Sequence, residues 1–296
     1  MRVTSSMMTT NTLRDLNLSL GRLQKTQTQL STGRQITKAS DNPTGTATAM
    51  GLRKQLNRAD QHSRSLEDAA GWLGTADSAL TSGLDLLARA KELAIAGANS
   101  GGISDPNARI AMATELRSIR SQLLGLANTT YGSRSIFNGT ASGAAYSSTG
   151  VYNGNTGSVV RDVAAQDSLA INLTGTQVFG TAGGAVGDVF EVLDRLATAV
   201  QAGNDTAIAA EHLNLDSATQ LMSAATVDIG SRAAKIDSIR SRTADQVLRL
   251  RDQLSNIEDV DPASAILTEK MQENSYQAAL QVAAKILPMS LLDFLR

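Results

Sequence analysis

The sequence predicts a mainly α-helical fold: an elongated, coiled-coil-like helical rod formed by the N- and C-terminal halves, with a small β-rich insertion in the middle. Two runs of apolar residues spaced seven positions apart predict the rod, and a Gly/Ser/Thr/Asn-rich stretch between them predicts the insertion. A seven-residue repeat keeps one stripe of a helix facing a partner helix over many turns. With four prolines and nine aromatic residues among 296, the core must consist mainly of aliphatic side chains and alanine, which suits close helix packing.

Composition excludes several classes of protein. The 27 basic residues are balanced by 28 acidic ones, so no basic surplus points to nucleic acid or to an anionic membrane. Cysteine is absent, which excludes disulfides and thiolate metal sites. The sequence has no apolar run long enough to cross a membrane, and the segment from Met1 to Arg14 lacks the apolar core of a secretory signal. We therefore expect a soluble protein, without nucleic-acid binding or membrane insertion. If it works outside the cell, it must leave by a route that does not use a cleaved signal peptide.

The first predicted helix spans residues 12–32. Its leucines follow alternating steps of three and four, with Gln27 filling a gap in a stripe made of Leu13, Leu16, Leu20, Leu23 and Leu30. Such a short seam is marginal alone and calls for a partner helix. Gly33 is expected to end this helix, and Pro43 lies beyond it in a structured joint.

A second predicted helix, residues 46–96, carries the first seven-residue repeat. The repeat consists of Leu52, Ala59, Leu66, Leu73, Leu80, Leu87 and Ala94. A third helix is expected to begin with Asp105 as its cap and Pro106 in its first turn, and to end near residue 128.

Residues 131–187 lose the helical period and form the predicted insertion. Four short β-like runs remain, bounded by turn signals such as Asn138-Gly139; they are Ser135–Phe137, Ser158–Val163, Ser168–Leu173 and Gln177–Phe179.

The helical pattern resumes near Asp188 and stops at Gly203, and the second seven-residue repeat follows it. That repeat consists of Ile208, Leu215, Met222, Ile229, Ile236, Thr243, Leu250 and Ile257. Asp261 and Pro262 then break the chain before a last amphipathic helix, whose apolar residues include Tyr276, Leu280, Leu287, Leu291, Leu292 and Phe294.

The elements are therefore nested. We expect residues 1–44 to pair with 261–296 as assembly helices, and residues 45–130 to pair with 188–260 as the rod around the insertion at 131–187. The predicted rod seam consists of Leu66, Leu73, Leu80, Leu87, Leu215, Met222, Ile229, Ile236, Leu250 and Ile257. The predicted assembly residues are Leu13, Leu16, Leu20, Leu23, Leu30, Tyr276, Leu280, Leu287, Leu291, Leu292 and Phe294.

No arrangement of residues predicts catalysis. His62 and His212 are isolated from metal-ligand spacings, and the glycine-rich stretch 180–187 lacks the ending of a phosphate-binding loop. Asp259 and Asp261 lie beside Pro262, where carboxylates usually cap helix ends. We expect no enzyme activity, no cofactor and no metal.

Residues 30–36, Leu-Ser-Thr-Gly-Arg-Gln-Ile, and 40–45, Ser-Asp-Asn-Pro-Thr-Gly, resemble the N-terminal hallmark of the bacterial flagellin family. Trp72-Leu73, Tyr131 to Thr140 and the closing Ser290-Leu291-Leu292 agree with that resemblance. The start Met1-Arg2-Val3-Thr4 and the run Ile257 to Asp261 are most similar to the hook-associated junction members of the family.

The resemblance implies a structural part of the extracellular bacterial flagellum that connects hook to filament. It implies self-association in a ring, contact with another hook-associated protein and with flagellin, and an export chaperone. Because each terminal helix has an apolar stripe and few partners, we expect the ends to be disordered in the free chain and to fold on assembly. A filament flagellin is the alternative, and a chemoreceptor-like helical signalling protein is a more remote one.

Overall fold

The structure is a computed structural model that describes residues 5–98, 105–164, 167–184 and 186–294, with side chains described between Met7 and Lys285. Within these ranges the helices are α1 (Ser5–Thr32), α2 (Pro43–Ala98), α3 (Pro106–Ala127), α4 (Gly175–Phe179), α5 (Val189–Ala202), α6 (Asp205–Glu258) and α7 (Pro262–Phe294). The strands are β1 (Thr130–Tyr131), β2 (Arg134–Ser135), β3 (Val160–Ala164) and β4 (Asp167–Ala170). The predicted fold class, mainly α with a small β insertion, is confirmed.

The chain divides into two compact units. One, which we call the terminal unit, comprises residues 1–58 and 246–296; the other, the central unit, comprises residues 59–245. The long helices α2 and α6 each contribute residues to both units.

Local signals set several helix ends as the sequence predicts. The Asp105 side chain accepts a hydrogen bond from the Asn107 N–H at the start of α3, and Pro106 occupies the first turn. Gly33 follows α1 with a φ of 68°, in the left-handed region that glycine adopts without a Cβ clash.

In the central unit, α2, α3 and α6 meet around Gly83. A Cβ at this position would lie 2.9 Å from Met222 Sδ and 3.3 Å from Leu123 Cδ1, so glycine lets these two side chains pack directly against the backbone of α2. Ion pairs flank the contact: Arg89 bonds Glu115 of α3 at 2.7 Å, and Lys91 bonds Asp216 of α6 at 2.5 Å.

The insertion shares its core with the helices that flank it. Tyr146 packs edge-on against Phe190 of α5 with ring centroids 5.0 Å apart, and Phe179 stacks on the same ring at 5.6 Å. Ile136 and Phe137 belong to the continuous buried cluster that includes Leu66 and Leu215. Sequence periodicity cannot reveal this shared core, because the aromatic residues that form it are far apart in the chain.

Strand content in the insertion is small. β1 pairs with β2, and β3 pairs with β4 in antiparallel register with an irregularity between Asp162 and Ala164. Asparagine side chains supply further links between backbone segments: Asn128 bonds both the N–H and the C=O of Tyr146, and Asn172 accepts from the Val159 N–H and donates to the Gly157 C=O. These amides act as short substitutes for strand pairing.

One predicted strand is wrong. Gln177–Phe179 belongs to the helical turn α4, which begins after Thr174. The Thr174 N–H donates to Gln177 Oε1 at 3.0 Å, an arrangement typical of a capping box. Val178 and Phe179 are buried on one side of this turn, so local capping and core packing outweigh the strand preference of a β-branched and an aromatic residue.

Candidate assembly surface

Within the terminal unit, α1 packs against α7 along a seam poor in large apolar side chains. The buried and half-buried positions of α1 follow alternating steps of three and four; they are Thr9, Thr12, Leu16, Ser19, Leu23, Thr26 and Leu30. The corresponding positions of α7 are Ala265, Glu269, Gln272, Tyr276, Ala279 and Ala283. Small and polar residues therefore occupy most of the contact, and the pair buries little apolar area.

A polar layer crosses this seam at Thr26. Thr26 is buried, and its hydroxyl lies 2.8 Å from Gln272 Oε1 and 3.1 Å from the Arg22 carbonyl oxygen. The neighbouring Gln27, expected from the sequence to fill the leucine stripe, is exposed. A buried polar contact in a helix pair fixes the register of the helices at some cost in stability.

Many large apolar side chains of the terminal unit face solvent instead. Leu13 and Leu18 of α1 are 47% and 53% exposed, and Leu267 and Met271 of α7 are 63% and 65% exposed. Scattered apolar residues are normal on a protein surface, but a concentration on two paired helices is typical of an interaction site. This outward apolar surface is the candidate site for assembly.

The predicted assembly residues fall in three places. Leu16, Leu23, Leu30 and Tyr276 line the seam, and Leu20 is half-buried beside it, whereas Leu13 and Leu280 are exposed. The side chains of Leu287, Leu291, Leu292 and Phe294 lie outside the described residues.

The predicted rod-seam residues lie mostly in the core of the central unit. Those with at most 1% exposure are Leu66, Leu73, Leu80, Leu87, Leu215, Met222, Ile229 and Ile236. Leu250 is buried and Ile257 is half-buried in the terminal unit.

The joint after α1 is organised by Asp41. One carboxylate oxygen accepts from the Thr37 hydroxyl and from the N–H groups of Thr37 and Lys38, and the other lies 2.9 Å from Lys25 Nζ. The Lys25 ammonium, followed by these hydrogen bonds, holds the pKa of Asp41 well below its usual range. The joint is therefore held by one ionised side chain.

The two joints of the terminal unit also bind each other, which the sequence does not reveal. The Gln35 N–H donates to the Glu258 carbonyl oxygen at 2.6 Å, and the Val260 N–H donates to the Gly33 carbonyl oxygen at 3.0 Å. Glu258 is buried, and its carboxylate lies 2.6 Å from Arg53 Nη2. This ion pair links the start of α2 to the end of α6.

The histidine and aspartates that were considered for catalysis or ligand binding make contacts that stabilise the fold. His212 lies 3.9 Å from Asp216, and Asp261 caps α7 by accepting from the Ala263 N–H. After the glycine-rich stretch, the Asp188 carboxylate accepts from the Glu191 N–H and so caps the start of α5. Burial raises the pKa of Asp188.

Among the described residues, no group of three or more His, Cys, Asp or Glu side chains is placed to hold a metal ion. No described helix is long and apolar enough to cross a membrane.

Comparison with known proteins supports the resemblance that the residues of the first joint, 30–36 and 40–45, indicate. Residues 3–142 match the family model of the bacterial flagellin N-terminal helical region. The flagellar hook-associated protein 3 of Salmonella typhimurium is 29% identical over 319 aligned positions that cover all of both chains. A flagellin of Bacillus subtilis is 24% identical, again over the whole of both chains.

Among solved structures, that of a flagellar hook-associated protein from Vibrio parahaemolyticus superposes with a TM-score of 0.68 at 21% identity, covering 74% of this chain and 100% of that one. The N-terminal match, the end-to-end similarity to a hook-associated protein 3 and to a flagellin, and the shared fold agree with one another: over its whole length the chain is similar to proteins of the bacterial flagellin family.

Proposed function

We propose that this chain is a structural subunit of the bacterial flagellum that joins the hook to the filament. The observation that carries the proposal is the end-to-end similarity to a hook-associated protein 3, in an alignment that covers 100% of this chain and 100% of that protein. The start Met1-Arg2-Val3-Thr4 and the run Ile257 to Asp261, which resemble the hook-associated members of the family, give it further support.

The terminal unit supplies the means of assembly. Its seam is small and polar, so α1 and α7 gain little by pairing with each other, while the exposed leucines and methionines remain available to neighbouring subunits. Burying one leucine is worth about 1.5–3 kcal/mol. Neighbouring copies, another hook-associated protein and flagellin would cover this surface, and the terminal helices would become fully ordered only there.

The weak pairing of α1 with α7 is also compatible with export from the cell. A chain with weakly held ends can be threaded through a narrow channel without a cleaved signal peptide. A dedicated chaperone would cover the apolar faces of α1 and α7 until the chain reaches the extracellular flagellum. We propose a purely structural role without enzyme activity.

Electron microscopy of flagella from a strain that lacks this chain tests the proposal. The expected result is complete hooks without filaments, with flagellin released into the medium. Filaments of normal length on the hooks of that strain would overturn it.

Filament flagellin remains the second candidate, because the Bacillus subtilis flagellin also matches the whole chain. The two roles differ in self-assembly. A filament subunit would polymerise alone into long fibres, whereas a junction subunit should form only short assemblies seated on a hook end. Seeding the purified chain with isolated hooks distinguishes them.

A further inference from the structure

A groove in the central unit is lined by small residues of two helices. Its walls are formed by Ala70 and Gly74 of α2 and by Gly230 and Ala233 of α6, and its volume is about 280 Å³. Leu73, Ile229 and Ile236 form its apolar floor. A space of this size accommodates one or two side chains.

Among the described residues, nothing requires glycine at two of these positions. A Cβ added at Gly74 or Gly230 would lie within 4 Å of none of their other atoms, and neither glycine has the positive φ that favours this residue. Glycine inside a helix is less favourable than alanine. The missing side chains therefore leave room for something outside this chain.

Two acidic side chains lie at the rim of the groove. Asp77 and Asp237 line it, both are exposed, and neither belongs to an ion pair among the described residues. An apolar floor between two free carboxylates fits a helix that presents an apolar side chain together with basic ones.

The terminal unit contains such a helix face. Met50, Lys54 and Arg58 follow one another at four-residue steps on α2, so they share one side of the helix, and all three are exposed. Residues 42–59 contain no acidic side chain, whereas the end of α6 carries Asp245 and Asp252 among its basic residues.

The net charges of the two units favour the same pairing of a basic helix face with the acidic groove. The terminal unit has 14 basic and 9 acidic residues, a net charge of +5, and the central unit has 13 basic and 19 acidic residues, a net charge of −6. The overall net charge of −1 conceals this separation. Opposite charges on the two units attract the terminal unit of one copy to the central unit of another.

We propose that the groove receives the Met50–Lys54–Arg58 face of a second copy of this chain. Met50 would fill the apolar floor beside Gly74 and Gly230, and Lys54 and Arg58 would pair with Asp77 and Asp237. The inference rests on the proposed function, because it specifies how copies contact each other in the assembled junction.

Charge reversal with rescue tests the pairing. One full-length variant carries Asp77→Lys and Asp237→Lys, a second carries Lys54→Asp and Arg58→Asp, and a third carries all four changes. Each is expressed in the strain that lacks the chain, and cells with filaments are counted. The first two variants should each reduce that count at least tenfold, and the third should restore most of it.

Filling the groove is an independent test. Gly230→Leu should reduce the count as strongly as charge reversal does, whereas Ala224→Leu, at an exposed position of the same helix outside the groove, should leave it unchanged. Thermal unfolding of each purified variant, followed through the buried Trp72, should stay within about 3 °C of the unaltered chain.

Normal filament counts with the variant that carries Asp77→Lys and Asp237→Lys, or with Gly230→Leu, would overturn the inference. It would also be overturned if the variant with all four changes were folded and exported but did not restore assembly. Filaments on cells that lack the chain would instead overturn the proposed function itself. The two failures are thus distinguishable.

Discussion

In the central unit most large apolar side chains lie inside, whereas in the terminal unit many of them face solvent. Of the eighteen large apolar residues that are exposed in the described part of the chain, eleven belong to the terminal unit, although it is the smaller one. Among the side chains that the structure describes, forty-eight hydrophobic ones are buried; five of these belong to the terminal unit, and three of the five are alanines. Burial of apolar area is the main favourable term in folding, so we expect the central unit to be stable alone and the terminal unit to depend on neighbouring subunits.

The two units share helices with similar repeats, so the difference lies in which residues occupy the seam. Leucines and isoleucines fill the central seam, while threonine, serine, glutamine and alanine fill most of the α1–α7 seam. A seven-residue period therefore indicates that a helix has a partner, but the residue types determine how strongly it binds that partner.

Leu80→Asp should unfold the central unit. Leu80 is fully buried, so the change places an unpaired carboxylate in an apolar seam and should cost more than about 4 kcal/mol. Trp72 is the single tryptophan and is itself buried in this unit, so its emission reports the loss. Leu213→Asp, at an exposed position of α6, is the control and should change stability by less than about 1 kcal/mol.

A leucine-to-alanine change in each unit compares directly how much a seam leucine contributes to stability there. Leu66→Ala should cost about 2–5 kcal/mol, because Leu66 is completely buried. Leu23→Ala, at a half-buried position of the α1–α7 seam, should leave urea unfolding of the central unit unchanged while weakening incorporation into flagella. Equal losses of stability for the two variants would contradict the separation of the units.

Arg232→Met should loosen the insertion. The Arg232 guanidinium donates to the carbonyl oxygens of Ala170 and Asn172 at 2.8 and 3.0 Å and to both carboxylate oxygens of Asp228. Methionine keeps part of the apolar stem but leaves these acceptors without their donor, at a cost of about 1–3 kcal/mol. Urea unfolding measures it, with Arg240→Met on the exposed face of α6 as the control.

Acidification should affect the units in opposite directions. The pKa of Asp41 is lowered mainly by Lys25, so the stabilisation of the joint is complete above about pH 4 and is lost as the pH falls further. The pKa of Asp188 is raised by burial, so the cost of its charge is relieved as the pH falls.

Amide exchange monitored by NMR between pH 6 and 3 measures the effect at the joint. The Thr37 and Lys38 amides should lose protection at the acidic end, and in Asp41→Asn their protection should be low throughout. Protection at these two amides that is independent of pH in the unaltered chain would show that Asp41 does not hold the joint.

Most of the fold follows from patterns that are local in sequence. The repeats, Asp105 with Pro106 and the glycine after α1 each act within a few residues of the structure they determine. Thr26 shows what such local patterns do not predict. It is buried in place of Gln27 because α7 packs on that side of α1, and the sequence of α1 alone does not reveal which side α7 covers. Gln177–Phe179 illustrates the same limit, because the Thr174 cap and the aromatic core around Phe190 decide its conformation.

Contacts between distant segments account for what the sequence does not show. The hydrogen bonds of Gln35 and Val260 connect joints more than two hundred residues apart in the chain. The charge separation between units is visible only after the unit boundary is known. The candidate surface is predicted in part, since the leucines of α1 are evident, but which of them face outward depends on the position of α7.

Hydrogen exchange measured by mass spectrometry, on the free chain and on the chain assembled on hooks, tests the central claim most directly. We predict that in the free chain peptides from α1 and α7 exchange within seconds while those containing Leu66 to Leu87 stay protected, and that assembly protects both sets. Removal of residues 1–30 should then abolish assembly and leave the Trp72-reported melting temperature unchanged. Equal protection of both units in the free chain would contradict the account.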